Sequence, residues 1–245
     1  MESMQILSGV YIYGLTLYIE DEKTLLFGDM HLGYEEELNQ MGYLIPRFQY
    51  DEIINHLTKV FSHIAPERVV ICGDLKHEFG RISEQEWNEV MNFLSFIERR
   101  VDDIVLIKGN HDTILGPIAT KRNVKFFSNY YLSGRKIFIT HGHLIPEDPD
   151  LYKAKIVIIG HDHPALGIRD ELRVEKVKCF LLGKWRGKDL IQIPSLNFVT
   201  EGIDIIREKP LSPFMNQDLS HFRVYCIEND EIFDFGRIST HLESE

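Results

Sequence analysis

Cysteine is scarce in this 245-residue chain. Cys72, Cys179 and Cys226 are odd in number and form no Cys-x-x-Cys pair, which argues against a disulfide framework. Cys72 closes the run Val69-Val70-Ile71-Cys72 and reads as a buried apolar thiol. No apolar run approaches the ~20 residues that span a membrane. The N-terminus carries Glu2 and lacks the basic n-region of a secretory signal, so the expected location is cytoplasmic. An excess of positive charge is also missing. The formal net charge is −11, whereas a general polyanion binder is basic. That argues against tight nonspecific nucleic-acid binding, while leaving room for a local basic groove or for phosphate held through cations. No repeat, low-complexity tract or linker interrupts the chain, and the reading is one domain over residues 1–245. With 44% apolar residues, a chain of this length can bury a sizeable core.

Short runs rich in Val, Ile, Phe and Tyr predict strands at 16–19, 25–27, 68–72, 104–107, 136–140, 156–159, 178–182, 190–193, 223–227 and 232–235. Continuous runs such as Ile156-Val157-Ile158-Ile159 suit strands covered on both faces. A helix after Pro46 carries the stripe Ile53, Ile54, Leu57, Val60, Phe61 and Ile64, and Pro66 closes it. A second opens at Ser83 with Glu86 three residues on, a capping-box pattern, and its stripe is Trp87, Val90, Met91, Leu94 and Ile97. A third, weaker helix is expected near 114–121. The fold class is α/β: two packed sheets with helices on their outer faces.

Five motifs follow predicted strands: Asp29-Met30-His31, Gly73-Asp74, Gly109-Asn110-His111-Asp112, His141-Gly142-His143, and Gly160-His161-Asp162-His163. Ligand sites in α/β architectures favour that edge. Alternate side chains point the same way, so Asp29 and His31 can share one ion, and His161 with His163 follows the same spacing. Asp74 is placed to bridge two ions, or is the Asp of a strand-ending turn. Asn110 offers a neutral carbonyl oxygen. His111 can stay off the metal as a general acid, work that an imidazole suits. A lone histidine is more often structural than ligating, but five such strand ends in one chain reverse that expectation. Imidazoles with carboxylates suit manganese, iron or zinc better than calcium or magnesium, and the absence of thiolates argues against a structural zinc knuckle. His143 either lines the pocket or turns the chain. His56 and His63 read as surface or packed residues, and His221 and His241 have no supporting neighbours.

The motif order Asp-x-His, Gly-Asp, Gly-Asn-His-Asp, His and Gly-His-x-His resembles the calcineurin-like metallophosphoesterases, with every element between residues 28 and 163. The resemblance implies a four-layer sandwich, two mixed β-sheets packed face to face and flanked by α-helices. Residues 28–35 and 73–77 are similar to the SbcD/Mre-type nucleases, which place a histidine, here His77, three residues after the Asp. The later Ile193-Pro194-Ser195-Leu196-Asn197, followed by Glu201-Gly202, is similar to a small single-domain branch that includes the bacterial ligase-associated phosphodiesterase. The resemblance implies one ion on Asp29, His31, Asp74 and His163, and a second on Asp74, Asn110, His141 and His161. The ions would be manganese, with iron, zinc or nickel as alternatives. It implies a catalytic group of His111, His77 and Asp112. Hydroxide made at the ions would attack phosphorus in line, and His111, oriented by His77, would protonate the leaving oxygen or stabilise charge developing on the phosphoryl group. The large repair nucleases carry a DNA-binding cap and a partner-binding tail that the resemblance does not cover here.

The leading expectation is a metal-dependent phosphodiesterase or nuclease acting on DNA, RNA or a small diester, with no membrane partner and no protein partner specified. The alternative enzyme reading is a phosphomonoesterase or cyclic nucleotide phosphodiesterase. A non-catalytic scaffold, as in a retromer subunit of this fold, is disfavoured by the complete ligand set. A basic segment, Arg169, Arg173, Lys176, Lys178, Lys184, Arg186 and Lys188 around Trp185, either grips phosphates and stacks a base or is a solvated hairpin.

Overall fold

The computed structural model describes residues 1–78, 83–112, 115–122, 124–170 and 173–242. The continuous apolar runs become its central strands. The first sheet takes seven strands in chain order: β1 (Ser3–Leu7), β2 (Val10–Tyr13), β3 (Thr16–Ile19), β4 (Thr24–Phe27), β5 (Arg68–Cys72), β6 (Asp103–Ile107) and β7 (Lys125–Phe127). β1 to β4 form an antiparallel meander, and β4 to β7 run parallel. Parallel neighbours need crossover connections. These carry helices α1 (Tyr34–Gln40), α2 (Gln49–His63), α3 (Glu84–Glu98) and α4 (Gly116–Lys121).

The second sheet is built from β8 (Asn129–Leu132), β9 (Ile137–Thr140), β10 (Ile156–Ile159), β11 (Pro164–Asp170), β12 (Arg173–Trp185), β13 (Lys188–Gln192), β14 (Ile203–Asp204), β15 (Arg223–Glu228) and β16 (Glu231–Arg237). β9, β10 and β13 are parallel, while the 13-residue β12 pairs antiparallel with β11, β13 and β15 along its length. Both sheets are therefore mixed. Helices α5 (Pro149–Lys153) and α6 (Ser239–Leu242) are short.

Strand alternation divides the core. Ile137, Ile139, Ile156, Ile158, Phe180 and Ile191 join the first sheet and the apolar faces of α2 and α3 in one cluster. Phe138, Val157, Ile159, Leu181, Leu190 and Val224 point the other way, under Leu151 of α5 and the irregular chain carrying Phe214, Met215 and Phe222. All three cysteines are buried and free. Among the described residues no helix is long and apolar enough to cross a membrane.

All ten predicted strands and both clear helices are present, although β12 runs over Arg173–Trp185 against a predicted 178–182, and three details on the helices differ. On α3, Trp87 is 39% exposed, and Phe93 and Phe96 are buried in its place. Ser83 caps α3 by accepting the Glu86 amide at 3.0 Å, but the Glu86 carboxylate does not return to the cap. It accepts the amides of His77 and Glu78, each at 2.9 Å. The third helix begins at Gly116, and Ile114 lies outside the described residues. β1, β2, β7, β8, β11 and β14 are not among the predicted strands; β11 contains Pro164 and Gly167, residue types that weaken a strand signal. β1 and β2 are a short meander at the sheet edge.

His56 is a core residue. Its Nε2 accepts the Leu15 amide at 3.0 Å, 41 residues away, and its Nδ1 lies 3.8 Å from Asp230. Burial pushes its pKa down to about 4, against a partial upward pull from Asp230. Between pH 6.5 and about 4, the unfolded chain binds a proton that the folded chain refuses, so stability falls as pH drops through that window. At 1.36 kcal/mol per pH unit this is worth about 3 kcal/mol. Urea unfolding at pH 7 and pH 5 should show a smaller acid loss for His56→Gln than for wild type. Equal losses would contradict the assignment.

Candidate active site

The motifs meet where the parallel strands finish. Asp29 and His31 follow β4, Asp74 follows β5, and Asn110 to Asp112 follow β6, so register sets these three ends side by side. The second sheet brings His141 after β9 and His161 with His163 after β10. The first two loops are zipped together: Asp29 N to Gly73 O at 3.0 Å, His31 N to Asp74 O at 2.9 Å, and Leu32 N to Leu75 O at 3.0 Å. The loop after β13 closes behind them, with Leu196 N donating to Gly28 O at 3.0 Å.

Five of the predicted ligands have left-handed backbone: Asp29 (φ 53°), His31 (48°), Asp74 (46°), His161 (75°) and His163 (50°). Each such residue costs of the order of 1–3 kcal/mol, and such residues concentrate at functional sites. Two glycines allow the close approach. A Cβ at Gly109 would lie 2.0 Å from Asp74 Oδ1, and one at Gly160 would lie 2.4 Å from Asp29 Oδ2.

The predicted ligands gather in two clusters joined by Asp74, and His31 also belongs to a third group with His77 and His111. Asp29, His31 and His163 present ligand atoms within 4.8 Å of one another, as do Asp74, His141 and His161. In the first, His31 Nε2 and His163 Nε2 are 3.2 Å apart, and Asp29 Oδ1 is 3.7 Å from His163 Nε2. In the second, His141 Nε2 lies 3.0 Å from Asn110 Oδ1, 3.2 Å from His161 Nδ1 and 3.3 Å from Asp74 Oδ2. The same Asp74 oxygen is 3.8 Å from His31 Nε2. All seven predicted ligand positions are thus brought together.

The electrostatics fit divalent cations. Asp29 is fully buried and Asp74 is 2% exposed. Asp29 Oδ1 has no hydrogen-bond partner, although leaving such a group unmade costs at least 1–3 kcal/mol. Burial opposes ionisation of Asp74, but the hydrogen bond and charge of His141, with His31 and His111, outweigh it and hold the carboxyl well below the usual range. Burial likewise opposes charge on His141, yet Asp29 and Asp74 push its pKa up to about 9. A proton on His141 balances charge that bound cations would balance in its place. Burial lowers the pKa of His31, His77 and His161, which leaves these imidazoles neutral, the form that binds metal. His143 settles on the pocket side, its ring 5.2 Å from His141 and 6.1 Å from His161, with Nδ1 buried and unpartnered.

His111 and His77 sit over the first cluster. The His111 amide donates to Asp74 Oδ1 at 2.9 Å, its Nδ1–H donates to the His77 carbonyl, and its Nε2 lies 3.9 Å from Asp74 Oδ2. The two rings stack at 5.3 Å. His77 Nδ1 is 3.2 Å from His31 Nδ1, and Nε2 contacts the Glu37 carboxylate. Asp112 is placed differently. It is fully buried, and its carboxylate accepts the amides of Gly109 at 2.9 Å and Leu75 at 3.1 Å, tying the β5 and β6 loops together. Burial and then the Asp74 charge push its pKa up to about 7.

Sequence reasoning passed over Tyr34 and Glu37, both on the short α1, although the run Glu35-Glu36-Glu37 marks a helix N-terminus. It read Glu86 only as a cap residue, and it placed Lys178 in the basic segment, whereas its Nζ donates to the fully buried Ser195 at 2.6 Å. The basic segment is a tied-down hairpin. Lys176 pairs with Glu208 at 2.6 Å, Lys184 pairs with Asp189 at 2.7 Å, and Lys188 donates to Tyr152 O and Ala154 O. Trp185 is 7% exposed and packs 4.8 Å from Phe214, with Arg186 over its ring. The indole is therefore no platform for a base. The side chains of Arg169 and Arg173 lie outside those described.

The family model described as calcineurin-like phosphoesterase matches residues 22–184. The chain belongs to that family, which supports a metal-dependent phosphoester hydrolase. Among solved structures, Pseudomonas putida nuclease MPE matches with a TM-score of 0.66 at 16% identity, covering 96% of this chain and 99% of that one. Yfce, a phosphoesterase from E. coli, matches at 15% identity with a TM-score of 0.39, over 86% of this chain and 96% of that one. Entamoeba histolytica Vps29 complexed with zinc matches at 15% identity with a TM-score of 0.38, over the same shares of each chain. No curated protein matches in sequence.

Because His141 holds its proton below about pH 9, metal binding at pH 8 should release about one proton and tighten as pH rises toward 9. Manganese titration calorimetry in buffers of different ionisation enthalpy measures this. Binding without proton release would contradict the charge balance described above.

Proposed function

We propose that this chain is a phosphodiesterase of the nuclease type that works through two divalent cations, manganese first, with iron, zinc or nickel as alternatives. One observation carries the reading: a single Asp74 oxygen lies 3.3 Å from His141 and 3.8 Å from His31, between two donor clusters. Asp29, His31, Asp74 and His163 would hold one ion, and Asp74, Asn110, His141 and His161 the other. Two such ions clamp phosphate oxygens and supply a nucleophile at neutral pH.

The protein's own groups do the rest. The His77 carbonyl fixes His111 Nδ1–H, so Nε2 is the nitrogen that takes and gives the proton, and it donates to the leaving oxygen. His77 is a positioning residue, held by Glu37 and by the Glu86 bond to its amide. Asp112 acts through the loops that it ties. Two features support a diester over a monoester: a histidine three residues after Asp74, as in the SbcD/Mre-type nucleases, and the nuclease activity named for the Pseudomonas putida protein of this fold.

With manganese, the chain should hydrolyse bis-p-nitrophenyl phosphate faster than p-nitrophenyl phosphate. A screen across single-stranded DNA, RNA and cyclic nucleotides then ranks the diesters. His111→Ala should keep its metal content while kcat falls by about 100- to 10,000-fold. Metal lost in step with turnover would make His111 a ligand, and faster monoester cleavage would overturn the diester reading.

A further inference from the structure

A small cleft opens directly beside the first cluster. It has a volume of about 140 Å³ and is lined by His31, Tyr34, His77, His163, Asn197 and Thr200. Cavities of about 150 Å³ hold one benzene ring. The half-buried Tyr34 forms its aromatic wall, with the ring centroid 4.1 Å from that of His77. The Asn197 oxygen accepts the amides of Val199 and Thr200, and its nitrogen gives one of its two hydrogens to Met30 O at 3.4 Å. Thr200 differs, because its Oγ1 is a buried hydroxyl oxygen with no hydrogen-bond partner. A buried hydroxyl is normally satisfied, so an unpartnered one on a cleft wall marks a position for a ligand's polar atom.

We propose that this cleft is a subsite for a single six-membered aromatic ring, the pyrimidine base of a nucleotide whose phosphate lies on the two clusters. The proposal rests on the phosphodiesterase reading above. His31 and His163 belong both to the first cluster and to the cleft wall, so an ester substituent on a phosphate held there has the cleft next to it. Tyr34 offers a face for stacking, which tolerates different bases. The volume favours a pyrimidine over a fused purine. Thr200 offers a hydroxyl for the exocyclic oxygen or ring nitrogen of the base.

The test compares dissociation constants for manganese-loaded protein with thymidine 5′-monophosphate, deoxyadenosine 5′-monophosphate and deoxyribose 5-phosphate, which lacks a base. Wild type should bind the thymidine nucleotide about tenfold tighter than the sugar phosphate, the low end of what a stacked base contributes. Tyr34→Leu should reduce that advantage to about twofold, Tyr34→Phe should keep it, and Thr200→Val should lose part of it. Equal affinities for the base-bearing and base-free ligands, including no binding of either, would overturn the subsite. A purine advantage equal to that of thymidine would overturn its size. Hydrolysis of methyl p-nitrophenyl phosphate by the same proteins reports separately. Its loss with the ring advantage intact would remove the diester reading and keep the ring subsite.

Discussion

Two carboxylates, Asp29 and Asp74, are removed from water at the meeting point of two sheets, and much of the local structure follows from how that charge is balanced. Among the described residues, the ion-pair contacts of these two aspartates are all to histidines: His31, His111, His141 and His163. Imidazoles are good ligands and weak cations, so the arrangement satisfies the carboxylates only partly. The unpartnered Asp29 Oδ1 and the proton drawn onto His141 are two expressions of that shortfall. Divalent cations would remove both at once.

The backbone bends to the same demand. Left-handed conformations at five predicted ligands are tolerated because Asp and His adopt them more readily than bulky or branched residues. Amide hydrogen bonds between the β4 and β5 loops, the Asp112 bridge between the β5 and β6 loops, and glycines that admit a carboxylate oxygen where a Cβ would collide hold the strained turns in place. Parallel register supplies the coarse alignment, and these local contacts supply the last ångström. The same logic explains Glu86. A residue that could have closed a capping box instead fixes the amide of His77, trading a helix cap for the posture of a site residue.

Much of this was legible in the sequence because the signals are local and repeated. Apolar runs ending in Gly or Asp, with His two residues apart, mark both the strand and the loop that follows it. Arg68–Cys72 and Ile156–Ile159 match their predicted bounds. What stayed hidden depends on contacts distant in sequence. His56 became a core residue through an amide 41 positions away, and Trp185 became a core indole through Phe214. Glu37 and Thr200 carry no motif, Tyr34 lies at the end of one that gives it no role, and only the folded chain brings them to His77 and His163. Asp112 sits inside a recognisable motif, yet its carboxylate faces backbone amides, a direction that residue identity alone does not give.

The family membership settles the class of chemistry, and the geometry concentrates the remaining question on whether one carboxylate serves two ions. Anomalous diffraction from crystals of manganese-loaded protein tests that most directly. The account predicts two peaks about 3.5–4 Å apart, with Asp74 bound to both and His111 bound to neither. A single peak, or two ions with Asp74 bound to only one of them, would contradict it.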